Sequence, residues 1–194
     1  MKNAFKITTI ALAFVGLSFA AKAQTATTTT TTKSGIRYSI GVDAGIPTGN
    51  FKDNYKWNLG GSVQADIPVA SQLFVTVNAG YNNVFGEKNV GGVAAADVPN
   101  LQLLPVKAGL KFFPVSNFYI QGEAGAAFLL NKSDFFNDKS VAFVYAPQIG
   151  VQFPVSASGN FIDAGVRYEG TTKYSSAFDN SKVNFVGVRV AYGF

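Results

Sequence analysis

The chain has no cysteine and no histidine. The first absence excludes a disulfide framework, a thiolate metal site and a lipid-modified anchoring cysteine. The second removes the commonest general base and the commonest metal ligand together. Hydrolytic or acyl-transfer chemistry would normally set a histidine beside its serine or acid, so that class loses its usual machinery. Charge is scarce at 14%, and methionine and tryptophan occur once each. Glycine (20) and phenylalanine (18) are abundant in the 194 residues, which does not describe a disordered chain.

The basic excess of 16 Lys and Arg over 11 Asp and Glu comes mostly from the N-terminus. Lys2 and Lys6 form a positive n-region, Ile7 to Ala20 is uncharged and apolar, and Ala21-Lys22-Ala23 is a small-x-small cleavage site. The apolar run is shorter than the roughly 20 residues of a spanning helix, which favours a signal peptide over an anchor. Removing residues 1–23 takes Lys2, Lys6 and Lys22 away, leaving thirteen basic against eleven acidic residues, or +2. No Lys/Arg cluster remains, so a nucleic-acid partner is not expected. No later segment is a spanning-helix candidate, so entry into a membrane would have to be by strands. Cleavage is expected at Ala23 after Sec-type export.

Residues 24–35 are a Thr-rich segment with nothing to bury, and disorder is expected there. Beyond it the pattern turns to period two, the strand signature. Eight runs follow: 37–46, 57–67, 73–83, 101–112, 118–130, 141–153, 161–169 and 183–194. Three connections are short and alike, around Pro68-Val69, Pro114-Val115 and Pro154-Val155. Proline ends a strand and pre-sets a turn. The other four, about 47–56, 84–100, 131–140 and 170–182, are longer and polar. An even strand number with short turns at one end and long loops at the other predicts an all-β fold. It is an eight-stranded antiparallel up-and-down transmembrane β-barrel over residues 36–194.

Volume orients the two faces. Eight strands enclose an interior only just wide enough for side chains. One face of each run carries Val, Ile, Leu, Phe and Tyr, too bulky for that lumen, and the other carries Gly, Ser, Asn, Gln and a few charges. Bulky residues outward make an apolar belt far larger than soluble monomers tolerate. Lipid stabilises such a belt, and closure satisfies the backbone. Two aromatic girdles are expected to edge it. Tyr38, Phe112, Phe118, Phe153, Phe161, Tyr192 and Phe194 fall at the short-turn end, and Trp57, Tyr81, Phe128, Phe143, Tyr145 and Tyr168 toward the long loops.

The inward charges are the one constellation with chemistry: Asp43, Asp66, Lys107, Lys111, Glu123, Asp163, Arg167, Glu169 and Arg189, with Arg37 at one end. Equal numbers of both signs suit mutual pairing in a narrow lumen better than selective conduction. A tight turn at Pro114, with paired positions summing to about 230, would set Lys107 opposite Glu123. Arg189 should reach Asp43 or Asp163. The loop acids Asp53, Asp134, Asp138 and Asp179 lack calcium-loop spacing. No catalytic, cofactor or metal site is expected.

The terminal Val186, Val188, Val190, Tyr192 and Phe194 alternate up to a final aromatic. Together with Gly45-Ile46-Pro47-Thr48-Gly49-Asn50-Phe51, the Pro-Val turns and Arg167-Tyr168-Glu169-Gly170, this chain resembles the small bacterial outer-membrane β-barrel domain family, related in architecture to OmpA/OmpX-type barrels. The resemblance covers about residues 35–194. It implies an outer-membrane location, no periplasmic domain, and a terminal segment 186–194 read by the barrel-assembly machinery. It does not fix a role, because one fold hosts many functions. Three classes stay open: a structural or surface-interaction barrel plugged by paired charges, a small-solute pore, and a secreted soluble ligand-binding barrel. The expected partners are outer-membrane lipid, the assembly machinery and an extracellular ligand at loops 84–100 and 170–182, with the barrel a monomer.

The loop lengths also set a topology. An epitope inserted at Lys88 should bind antibody on intact cells, and one at Ser116 should not. Reversed labelling would invert the orientation.

Overall fold

The computed structural model describes residues 35–88, 98–131, 139–175 and 181–194. The expected signal peptide, most of the Thr-rich segment and the loop acids Asp134, Asp138 and Asp179 lie outside them. The strands are β1 Arg37–Pro47, β2 Tyr55–Ala70, β3 Leu73–Gly86, β4 Leu101–Phe112, β5 Phe118–Leu129, β6 Val141–Pro154, β7 Phe161–Thr171 and β8 Asn184–Gly193. Each pairs antiparallel with the next, and β8 returns to β1, closing the barrel.

The period-two runs become strands because their two faces meet different surroundings. On β1, Ser39 and Asp43 are buried while Ile40 and Val42 are nearly 60% exposed. On β2, Asn58, Ser62, Gln64 and Asp66 turn in, and Trp57, Leu59 and Val63 turn out. The exposed set continues around the wall through Leu110, Ile149, Val166, Val188 and Val190.

The strands run further into the long loops than expected. β2 begins at Tyr55, β3 continues to Gly86 and β7 to Thr171. The reason is apolar burial. Val84 is paired with Leu101 across β3 and β4, and both face inward with almost no exposure. A 3-10 turn, Gly49–Asp53, carries Phe51 into the same interior, where it stacks on Tyr55 at 4.3 Å. Gly49 opens this turn at φ 63°, a conformation that disfavours other residues.

The girdle expectation needs one correction. Tyr38, Phe112, Phe153, Tyr192 and Phe194 are exposed at the short-turn end, as are Trp57, Tyr81, Phe143 and Tyr145 toward the long loops. Phe161, however, is buried. It shares parity with Asp163 and points into the lumen.

The last residue helps to close the barrel. Phe194 and Tyr38 exchange backbone hydrogen bonds of 2.9 and 3.2 Å, and their rings lie 6.4 Å apart. Phe194→Ala keeps the backbone pair and removes only the ring, which as an aromatic pair is worth about 0.5–1.5 kcal/mol. Urea unfolding in detergent should therefore shift little. If the terminal aromatic is also an assembly signal, pulse-labelled cells should show a much larger drop in heat-modifiable barrel. Normal assembly beside a clear stability loss would leave the ring as an anchor only.

Candidate functional site

The lumen is packed in three layers. At the long-loop end lies an apolar layer that the parity reading missed. It includes Val84, Leu101, Leu103, Leu129, Val144, Tyr174 and Phe185, with Phe51 and Tyr55 beside them. Inward residues are therefore not uniformly small and polar: near the rim the wall carries Leu and Val on its inner face. The signal was present in the parity of Leu101 and Leu103, which share the Lys107 face. Tyr174 donates to the Ala127 carbonyl at 3.2 Å, and burial, with the nearby Glu169 charge, raises its phenol above the ordinary range.

The middle layer holds all nine residues of the expected charge network, each at most 4% exposed. One half centres on Lys107, whose Nζ is 2.5 Å from Glu169 and 3.8 Å from Glu123. Arg167 bridges Asp43 at 2.5 Å and approaches Glu169 at 4.0 Å. Thr76 donates to Glu123 at 3.1 Å. The other half centres on Lys111, 2.8 Å from Asp66 and 3.6 Å from Asp163. Arg189 lies 3.6 Å from Asp163 and donates to Ser62 and Ser39.

The expected ion pair of Lys107 with Glu123 is present, at 3.8 Å, but the expected register that set them directly opposite is corrected. Lys107 is opposite Gly125, and Glu123 is opposite Gly109, so paired positions sum to 232. The turn is wider because Phe113 stays with β3, its N–H bonded to the Gln72 carbonyl, and buries its ring. Glu123 is therefore a diagonal neighbour of Lys107, and the shorter contact comes across the lumen from β7. Arg189 has Asp43 as its backbone partner on β1 but turns to Asp163, because Asp43 is taken by Arg167.

The short-turn layer is aromatic. Phe74, Phe113 and Tyr119 cluster there, and the Arg37 guanidinium sits 4.2 Å from the centre of the Phe74 ring and 5.2 Å from that of Phe161. Arg37 also reaches Asp66 at 3.5 Å. Tyr119, not singled out from sequence, spans the lumen wall. It donates to Asp163 at 2.9 Å and accepts from Gln148 at 2.5 Å. Its space comes from the paired Gly150 and Gly165; a Cβ on Gly165 would lie 2.6 Å from the phenol oxygen. That facing glycine pair was the available sequence signal. Among the described residues no group of three or more acidic side chains could hold a metal ion.

A closed barrel, apolar outside and charge-paired inside, defines an integral membrane protein of the outer-membrane barrel class. The chain belongs to the outer membrane protein beta-barrel domain family, whose model matches residues 9–194. No curated protein matches it. Among solved structures it is similar in fold to the attachment invasion locus protein Ail of Yersinia pestis in a phospholipid nanodisc. That match has 20% identity over 81% of this chain and 99% of that one, with a TM-score of 0.51. It is also similar to OprG from Pseudomonas aeruginosa, at 13% identity over 84% and 97% of the two chains and a TM-score of 0.50.

The cross-lumen contact is testable. Removing one partner of a buried pair costs about 3–5 kcal/mol, because a charge is left uncompensated. Lys107→Met should destabilise the refolded barrel by that order in urea. Adding Glu169→Gln should recover more of the loss than adding Glu123→Gln. Equal recovery would mean that the diagonal contact matters as much as the cross-lumen one.

Proposed function

We infer that this protein is a non-enzymatic, solute-tight outer-membrane barrel whose role is structural or surface interaction. The observation that carries this reading is the layered filling of the lumen. An apolar layer, a charge-paired layer and an aromatic layer follow one another, each made of buried side chains. A conducting pore needs a wetted path, and an ion-selective one is lined by carbonyls or by rings of one sign of charge. Here four inner cations and Arg37 face five acids, and each acid has a cation within 4.0 Å. The absence of histidine supports a lack of acid–base catalysis.

The same reading includes export with cleavage after Ala23, assembly through the segment 186–194, and life as a monomer. Contact with an extracellular ligand falls to loops 84–100 and 170–182. Lys56 and Glu87, paired at 2.7 Å, stand at the base of the first of these loops.

In planar bilayers the wild-type barrel should show negligible single-channel conductance. Glu123→Ala opens space beside Lys107 and should raise leak above that baseline. Large, well-defined conductance steps in the wild type would overturn the solute-tight reading in favour of a small-solute pore.

A further inference from the structure

Among the described residues the outer wall carries a hollow over β1–β3. Along one row of paired positions the outward residues run Val190, Val42, Gly61 and Tyr81, and Leu104 of β4 also lines the hollow. Gly61 supplies no side chain, and Ala79 on the next row supplies only a methyl group. The result is an open apolar groove of about 570 Å³ over β1, β2 and β3. That volume falls within the roughly 300–1,000 Å³ of ordinary ligand sites.

Folding does not require a glycine at position 61. Its φ is not positive, and a Cβ there would meet nothing closer than the Gly41 carbonyl at 3.4 Å. A β-branched residue would fit and would favour a strand. A glycine inside a strand marks a bulge, a bend, or a place where a ligand or another backbone approaches closely, and the β2–β3 register has no shift at Gly61.

The position of the groove selects its occupant. Gly61 lies four residues from Trp57 of one girdle, and its partner Val42 lies four residues from Tyr38 of the other. At about 3.3 Å per residue each step is about 13 Å along the strand, which places Gly61 midway across a band about 25 Å tall, while Tyr81 carries the edge of the groove toward the long-loop girdle. No charged side chain lines it. It is continuous with the lipid-facing belt, so the phase in contact with it is hydrocarbon. A twofold dimer centred there would set hollow against hollow and leave a void. In lipid there is no hydrophobic drive to fill such a space. The gain is van der Waals fit, which small residues provide by allowing close approach.

We propose that this groove is a binding site for the distal part of one phospholipid acyl chain, held in order against β1–β3 at mid-membrane. It rests on the lipid-facing belt alone and not on a sealed lumen.

The test uses the full barrel in vesicles containing a phosphatidylglycerol with a diazirine near one chain's methyl end. Adducts are mapped by peptide mass spectrometry, and insertion is checked separately by heat-modifiable mobility. Adducts should concentrate on the peptides around Gly61 and Ala79, relative to the filled face around Val166 and Val188. Gly61→Leu should lower them by about threefold, for the handful of dispersion contacts forfeited. Ala79→Leu is the second variant, should the first fail to insert. Even labelling of both faces, labelling unchanged by either inserted variant, or adducts between two protein chains would overturn the proposal.

Discussion

Everything in this molecule depends on the closure of β8 on β1. Eight strands joined in a ring satisfy their backbone groups against one another, which hydrocarbon demands. The same ring fixes a lumen barely wide enough for its own side chains. Each inward residue must then be small, find a polar partner or join an apolar layer. Tyr119 shows the rule: it fits only because Gly150 and Gly165 face each other across β6 and β7. Outside, lipid imposes no such packing, so bulky Val, Ile and Leu side chains stand exposed along the wall.

The strands and the facing of their side chains were legible in the sequence, because period two is local and the two environments differ sharply. Contacts that depend on three dimensions were not. Lys107 and Glu169 lie 62 residues apart on non-adjacent strands, and nothing in a hairpin pattern joins them. The β4–β5 register lies two away from the one that a short Pro-containing connection, read as a tight turn, predicts. Phe113 instead buries its ring and remains with β3. A shift of two leaves every side chain on its own face, so alternation could not detect it. The apolar layer near the long loops escaped for a related reason. The lumen is not one environment along its length: Leu101 and Leu103 share a face with Lys107 and yet are surrounded by Val84, Leu129 and Phe185.

The charge network is a costly way to fill a lumen. Replacing buried pairs with apolar residues of similar volume is often neutral or stabilising. What the charges add is discrimination between registers that apolar filling would tolerate. A slip of two on β7 would carry Arg167 away from Asp43 and Glu169 away from Lys107, leaving four buried charges poorly matched. Alternation guards against slips of one, and the ion pairs guard against slips of two. Since β4 and β7 are not neighbours, their contact ties together opposite sides of the ring.

On the function proposed above, recognition falls to the loops, and the apolar layer beneath them holds their bases. Phe51, Tyr174 and Val183 belong to the connections and not to the strands, yet each is buried in that layer. Backbone bonds join the connections above it. Glu87 donates to Asn54 at 2.8 Å, Val98 to Glu87 at 3.0 Å and Lys139 to Tyr174 at 3.1 Å. A connection anchored in this way at its base loses less conformational freedom when its outer part meets a partner. The apolar layer therefore has two consequences from one packing arrangement: it fills the outer end of the lumen, and it sets the positions from which the loops extend.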